Sequence, residues 1–118
     1  MLVVNRFVVG TADREAFTVR AHTALEVLAG RPGYLRGRLA RALDEPDHWC
    51  LITEWESVGA YRRALSAFDV RVHATPLLAG ALPEPSAYEV LATADGGAVV
   101  SFDSDRADEP DPGPGRER

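Results

Sequence analysis

The chain has 118 residues, 46% of them hydrophobic and 26% charged, with a formal charge of −5. That length suits one domain with a substantial core, and the charge excludes a dedicated nucleic-acid binder, whose contact face is basic. A single cysteine, Cys50, excludes an internal disulfide and suits a reducing cytoplasm; no apolar run approaches the ~20 residues that span a bilayer, and Met1 to Phe7 lacks a signal-peptide pattern.

Leu2 to Val9 is β-branched and aromatic and reads as a strand. Val3, Asn5, Phe7 and Val9 share one face; Leu2, Val4, Arg6 and Val8 share the other. Each face is apolar with one polar interruption, which singles out Asn5 and Arg6. A buried amide left unpaired costs roughly 1–3 kcal/mol, so Asn5 needs a partner in the protein or in a pocket. Arg6 is expected to pair with Glu54 or Glu89. Thr11 is the expected N-cap of a helix carrying Asp13 and Glu15 in its first turn. Phe17, Ala21, Ala24, Leu25 and Leu28 recur on that helix at helical spacing. Gly30 is expected to end it in the left-handed conformation.

Tyr34 to Leu43 reads as a second strand, with Leu35, Leu39 and Leu43 on one side and Tyr34, Arg36 and Arg38 on the other. Asp44-Glu45-Pro46-Asp47 is a turn by composition, so His48 to Trp55 closes a hairpin. This third strand sets Trp49, Leu51, Thr53 and Trp55 against Cys50, Ile52 and Glu54. Neither side is polar enough for a half-solvated strand, which places it mid-sheet with Cys50 in the core. Ser57 caps the next helix, whose stripe is Tyr61, Ala64, Leu65 and Phe68. Asp69 caps a further turn through Val70, Val72 and His73. Leu77, Leu78 and Leu82 form an apolar connector after Pro76, and Ala87 to Ala92 is the last strand.

Residues 1–94 form the expected domain. Beyond them Asp95-Gly96-Gly97 is a turn and 98–102 a candidate short edge strand. From Asp103 to Arg118 six acidic and three basic residues alternate with Pro and Gly. Burial in such a composition cannot offset the ordering entropy, so disorder is expected there. The order strand, helix, strand, strand, helix, strand is the α+β, ferredoxin-like βαββαβ pattern with an antiparallel sheet. Its helices cover one sheet face, and the apolar second face is expected to meet a second copy, giving a homodimer. Three dispersed histidines, His22, His48 and His73, lack the spacing of a zinc site.

Val4-Asn5-Arg6-Phe7, Arg31-Pro32-Gly33-Tyr34-Leu35, Thr53-Glu54-Trp55-Glu56-Ser57 followed by Ala60-Tyr61, and Pro85-Ser86-Ala87-Tyr88-Glu89 carry a family resemblance. Over residues 2–92 the chain resembles the antibiotic biosynthesis monooxygenase family, small proteins that form a dimeric α+β barrel. Its quinone-forming members imply oxidation of a planar aromatic or polyketide-like molecule by dioxygen, with no bound flavin or metal. There the enzyme helps deprotonate the substrate, and the carbanion passes an electron to dioxygen. Their tryptophan and tyrosine correspond to Trp55 and Tyr61, and their asparagine four residues before the tryptophan falls on Leu51. Asn5 would hydrogen-bond a substrate oxygen. Haem-degrading members imply an alternative, with His73 on the iron and Asn5 near the distal face, although their tryptophan falls on Ala64. A third reading is a non-catalytic small-molecule-binding module of the same fold. The expected partners are a second copy and a small aromatic molecule, with neither nucleic acid nor membrane; haem is the alternative cofactor to none.

Overall fold

The alternation read in the first and third strands decides the sheet. β1 (Leu2–Val8) pairs antiparallel with β3 (His48–Trp55), setting Val3 opposite Thr53, Asn5 opposite Leu51 and Phe7 opposite Trp49. β2 (Tyr34–Arg41) lies on the far side of β3, and β4 (Ala87–Tyr88) lies along β1, so the sheet order is β2-β3-β1-β4. Four helices follow the strands in the ferredoxin-like order: α1 (Arg14–Ala29), α2 (Val58–Ser66), α3 (Phe68–His73) and α4 (Thr75–Leu78). The computed structural model describes residues 1–104, so the disorder expected up to Arg118 falls almost wholly outside the described residues.

Val3, Phe7, Val9, Leu51 and Trp55 are buried beneath the helices, against Phe17, Ala21, Ala24 and Leu28 of α1, Ala60 and Ala64 of α2, and Val70 and Leu77. Alanines on α1 and α2 let both helices approach the sheet closely. The opposite face is less covered: Val8 is 56% exposed, and Leu2, Val4, Cys50 and Ile52 are half-buried. Cys50 therefore lies outside the core of this protomer, because odd and even positions of β3 face opposite ways.

Several local expectations are corrected. Thr11 to Asp13 forms a 3-10 turn, and α1 starts at Arg14 with Asp13 in the cap position and no side-chain cap bond. Gly30 has φ −79, an ordinary right-handed value. The left-handed residue is Gly33, at φ +88, where the chain reverses into β2. A bulge between Tyr34 and Arg36 turns Tyr34 to the helix-covered side, beside Gly37 and Leu39, and leaves Leu35 50% exposed. Leu43 lies beyond β2 and is fully exposed. Ala67 leaves the helical region at ψ 142, so the stripe of α2 stops at Leu65 and Phe68 is exposed.

The last strand spans two residues instead of six. Along the edge of β1, Leu82 donates to the Arg6 carbonyl and Val4 donates to the Ser86 carbonyl, each at 2.7 Å. Pro83 and Pro85, between those two bonds, have no N–H to offer. Tyr88 then faces Leu2, the last residue of β1 whose backbone points to that edge, since Met1 is bonded through both its N–H and its C=O to Trp55. Contacts divide the chain into one unit at Met1–Tyr88 and a second from Glu89. Within the second, β5 (Ala92–Ala94) and β6 (Val99–Ser101) pair with each other around Gly97 at φ +104, so 98–102 builds a separate hairpin and adds nothing to the main sheet. Arg6 also departs from expectation. It lies against the Tyr88 phenol, which raises its pKa, while Glu54 pairs with Arg36 at 3.5 Å.

Candidate active site

The helix-covered side of β1 and β3 is a row of side chains with an aromatic cluster at each end. At one end Trp55 is completely buried, and its indole Nε1–H donates to the Thr53 hydroxyl at 2.9 Å. Residues two apart on a strand share a face, so this bond follows from the sequence position of Thr53 and explains a buried hydroxyl. Tyr34 meets the indole edge-on at 5.3 Å between centroids, and Tyr61 meets it at 5.4 Å with a 54° tilt.

Two backbone-level contacts place Tyr61. The Ser57 hydroxyl accepts from the Ala60 N–H at 3.0 Å, the expected helix cap, and the Gly33 carbonyl accepts from the Glu56 N–H at 2.8 Å. Together they fix the first turn of α2, and Tyr61 follows Ala60 onto the indole. Its hydroxyl makes no hydrogen bond among the described residues. Burial pushes its pKa above the ordinary 10.0, so at neutral pH it is a protonated donor and no base. Tyr34 is shifted the same way for the same reason. Gly37 makes room for it: a Cβ there would strike the Tyr34 hydroxyl and stand 2.9 Å from a Leu25 methyl.

Asn5 lies mid-strand opposite Leu51, half-buried, and its amide makes no hydrogen bond among the described residues. It is therefore left to bond water or a ligand. At the other end Phe7 and Phe17 meet at 5.1 Å, Phe17 and Trp49 at 5.4 Å, and Arg41 lies 5.3 Å over the Trp49 ring. Phe7, Val9, Phe17 and Leu77 wall an open cleft of about 310 Å³ with Asp13 and Arg20 at its rim. Arg20, Pro76 and Leu77 also border a second groove of about 210 Å³, which His73 lines.

Trp55 and Tyr61 are thus brought together, Asn5 stands apart along the same side of the sheet, and His73 is exposed on α3. Haem does not fit the pair proposed for it. The groove at His73 is smaller than the ~300 Å³ at which pockets for drug-sized ligands begin, a porphyrin is larger still, and Asn5 lines neither groove. Among the described residues no group of three or more His, Cys, Asp or Glu is placed to hold a metal ion, and no helix is long and apolar enough to cross a membrane. Sequence reasoning missed Tyr34, whose side of the sheet depends on a bulge. It also missed the cleft, although Phe7, Val9, Phe17 and Leu77 of its lining were each read as apolar positions.

The family described as antibiotic biosynthesis monooxygenase matches residues 1–74. Among solved structures, a single-site mutant of SnoaB, a cofactor-independent oxygenase from Streptomyces nogalater, is 33% identical, with 69% of this chain and 82% of that chain covered at a TM-score of 0.59. SnoaB at 1.9 Å resolution is 30% identical over 76% of this chain and 94% of its own, with a TM-score of 0.54. A conserved protein from Methanosarcina mazei Go1 shares the fold at 17% identity, covering 73% of this chain and 84% of that one at a TM-score of 0.61. No curated protein matches the chain.

Proposed function

From the premise that this chain belongs to the antibiotic biosynthesis monooxygenase family, we propose that it oxidises a planar aromatic or polyketide-like molecule with dioxygen, without bound flavin or metal. The observation that carries the reading is the Trp55–Tyr61 pair, a buried indole holding a phenol whose hydroxyl has no hydrogen-bond partner among the described residues. A substrate of the anthrone type loses a proton from its methylene to solvent, and the peroxide formed later takes one back. The carbanion passes one electron to dioxygen, the two radicals combine as a hydroperoxide, and loss of water leaves a quinone. One oxygen atom ends in the product and the other in water.

In this reading Tyr61, kept protonated by burial, donates to the substrate oxygen on which negative charge develops. Asn5 donates its amide N–H to a second substrate oxygen. Trp55 has no exposed surface, so it acts as the support that aims Tyr61. The protein works as a homodimer that buries Leu2, Val4, Val8 and Ile52 against the same residues of a second copy, because an apolar sheet face left open invites association. Oxygen uptake with anthrone tests the chemistry. Purified protein is expected to consume one dioxygen per quinone formed, and Tyr61→Phe to lower the rate by about tenfold or more, since it removes only the donor. Uptake no faster than in buffer, or a Tyr61→Phe variant as fast as the parent, refutes the reading.

A further inference from the structure

The cleft between α1 and α4 carries charges that the proposed reaction leaves without a role. Its walls are apolar and aromatic: Phe7 and Phe17 meet at 60° across 5.1 Å, with Val9 and Leu77 beside them. Its volume of about 310 Å³ reaches the ~300 Å³ at which pockets for small molecules begin. Arg20 stands at the boundary between this cleft and the groove of His73, lining both. Among the described residues its guanidinium has no ion-pair partner, whereas nearby Arg14 is paired with Asp47 at 3.9 Å. Asp13, the other charge on the rim, stands at the cap of α1 seven residues before Arg20, roughly 10 Å along the axis at ~1.5 Å per residue.

An apolar wall of edge-to-face rings with a cation at one end and a carboxylate at the other is polarised along its length. We propose that this cleft binds a planar aromatic acid, with the rings against Phe7, Phe17 and Leu77 and the carboxylate on Arg20. Neither Tyr61 nor Asn5 lines this cleft, so the binding is proposed independently of the monooxygenase reading. Asp13 rejects the opposite orientation, because the acid would then face a like charge. Arg20 offers a planar fork that matches a carboxylate with two parallel hydrogen bonds, which a neutral amide does not reproduce.

Titration with 2-naphthoate and with the isosteric 2-naphthamide, followed by backbone amide shifts, tests the assignment. Naphthoate is expected to shift Phe17, Arg20, Leu77 and Gly80 and to bind about fivefold tighter than the amide, which is near the most that a largely exposed ion pair supplies. Arg20→Gln, on the exposed side of α1, is expected to remove that preference while leaving naphthamide affinity unchanged, and Arg38→Gln on the sheet edge to retain it. Equal binding of the two probes, no binding of naphthoate, a preference that survives Arg20→Gln, or shifts confined to residues outside the cleft each overturn the proposal. Oxygen uptake reports separately: acid binding without turnover refutes only the monooxygenase reading, and turnover without acid preference refutes only this one.

Discussion

Gly33→Ala probes how the position of Tyr61 is set, and its cost has two separable parts. At φ +88 a side chain meets the backbone strain of the left-handed region, about 1–2 kcal/mol. A Cβ at Gly33 would also collide with the Cβ of Ala60, the residue before Tyr61, which adds an overpacking cost of about 1–3 kcal/mol. The single substitution is therefore expected to destabilise by about 2–5 kcal/mol. Ala60→Gly alone places a glycine in the first turn of α2 and costs up to about 1 kcal/mol. In the double variant the collision vanishes while the backbone strain and the cost of the helix glycine remain, so the two changes couple favourably by about 1–3 kcal/mol. Urea unfolding of the four proteins measures the cycle. Effects that add to within about 0.5 kcal/mol would show that Gly33 is required for its backbone angle alone and does not locate α2.

Ser57→Ala removes the hydroxyl that accepts from Ala60 and is expected to lower stability in urea by about 1 kcal/mol. Trp55→Phe leaves the Thr53 hydroxyl buried without its donor, expected to cost about 1–3 kcal/mol beyond the lost packing; adding Thr53→Val should recover part of it. Burial raises the Tyr61 and Tyr34 pKa values above 10.0, so the native state holds protons that the unfolded chain releases first. Their contribution is whole below pH 10 and is lost as pH rises through the folded values. The urea midpoint is expected to fall more steeply above that pH in the parent than in Tyr61→Phe. Sedimentation across a dilution series is expected to show a dimer, and Val4→Glu, which puts a charge on the open sheet face, to shift it to monomer; a parent protein that sediments as a monomer at micromolar concentration would remove the dimer from the proposal.

What could be read from sequence divides along a physical line. The faces of β1 and β3, the stripe of α1 and the cap at Ser57 depend on residues a few positions apart, and those were legible. Trp55 and Tyr61 were named together only through the family resemblance, and the structure brings their rings within 5.4 Å. Tyr34 was assigned to the wrong side because the bulge beside it reflects the pairing of β2 with β3, which local alternation does not encode. The last strand was drawn too long for a similar reason: its length is set by how many residues of β1 face its edge. Gly30 and Gly33 lie three apart, and the left-handed one is Gly33, where the chain reverses into β2 beyond the helix end. The cleft belongs to none of these local patterns, because its width is the gap between α1 and α4.

The residues that carry no functional group are the ones that aim those that do. Gly33 admits Ala60 and so seats the first turn of α2; Gly37 admits the Tyr34 hydroxyl; Thr53 ties down the indole on which both tyrosines rest. A reacting atom displaced by about 1 Å can lose on the order of a hundredfold in rate. Substitutions at Gly33, Ala60 or Gly37 are therefore expected to change turnover more than binding if Tyr61 donates to the oxyanion, since its hydrogen bond tightens only as charge develops. Were Tyr61 a wall of the pocket and no more, the same substitutions would weaken binding and leave the rate of the bound complex unchanged. Comparing kcat with KM across those three positions separates the two roles without touching the tyrosine itself.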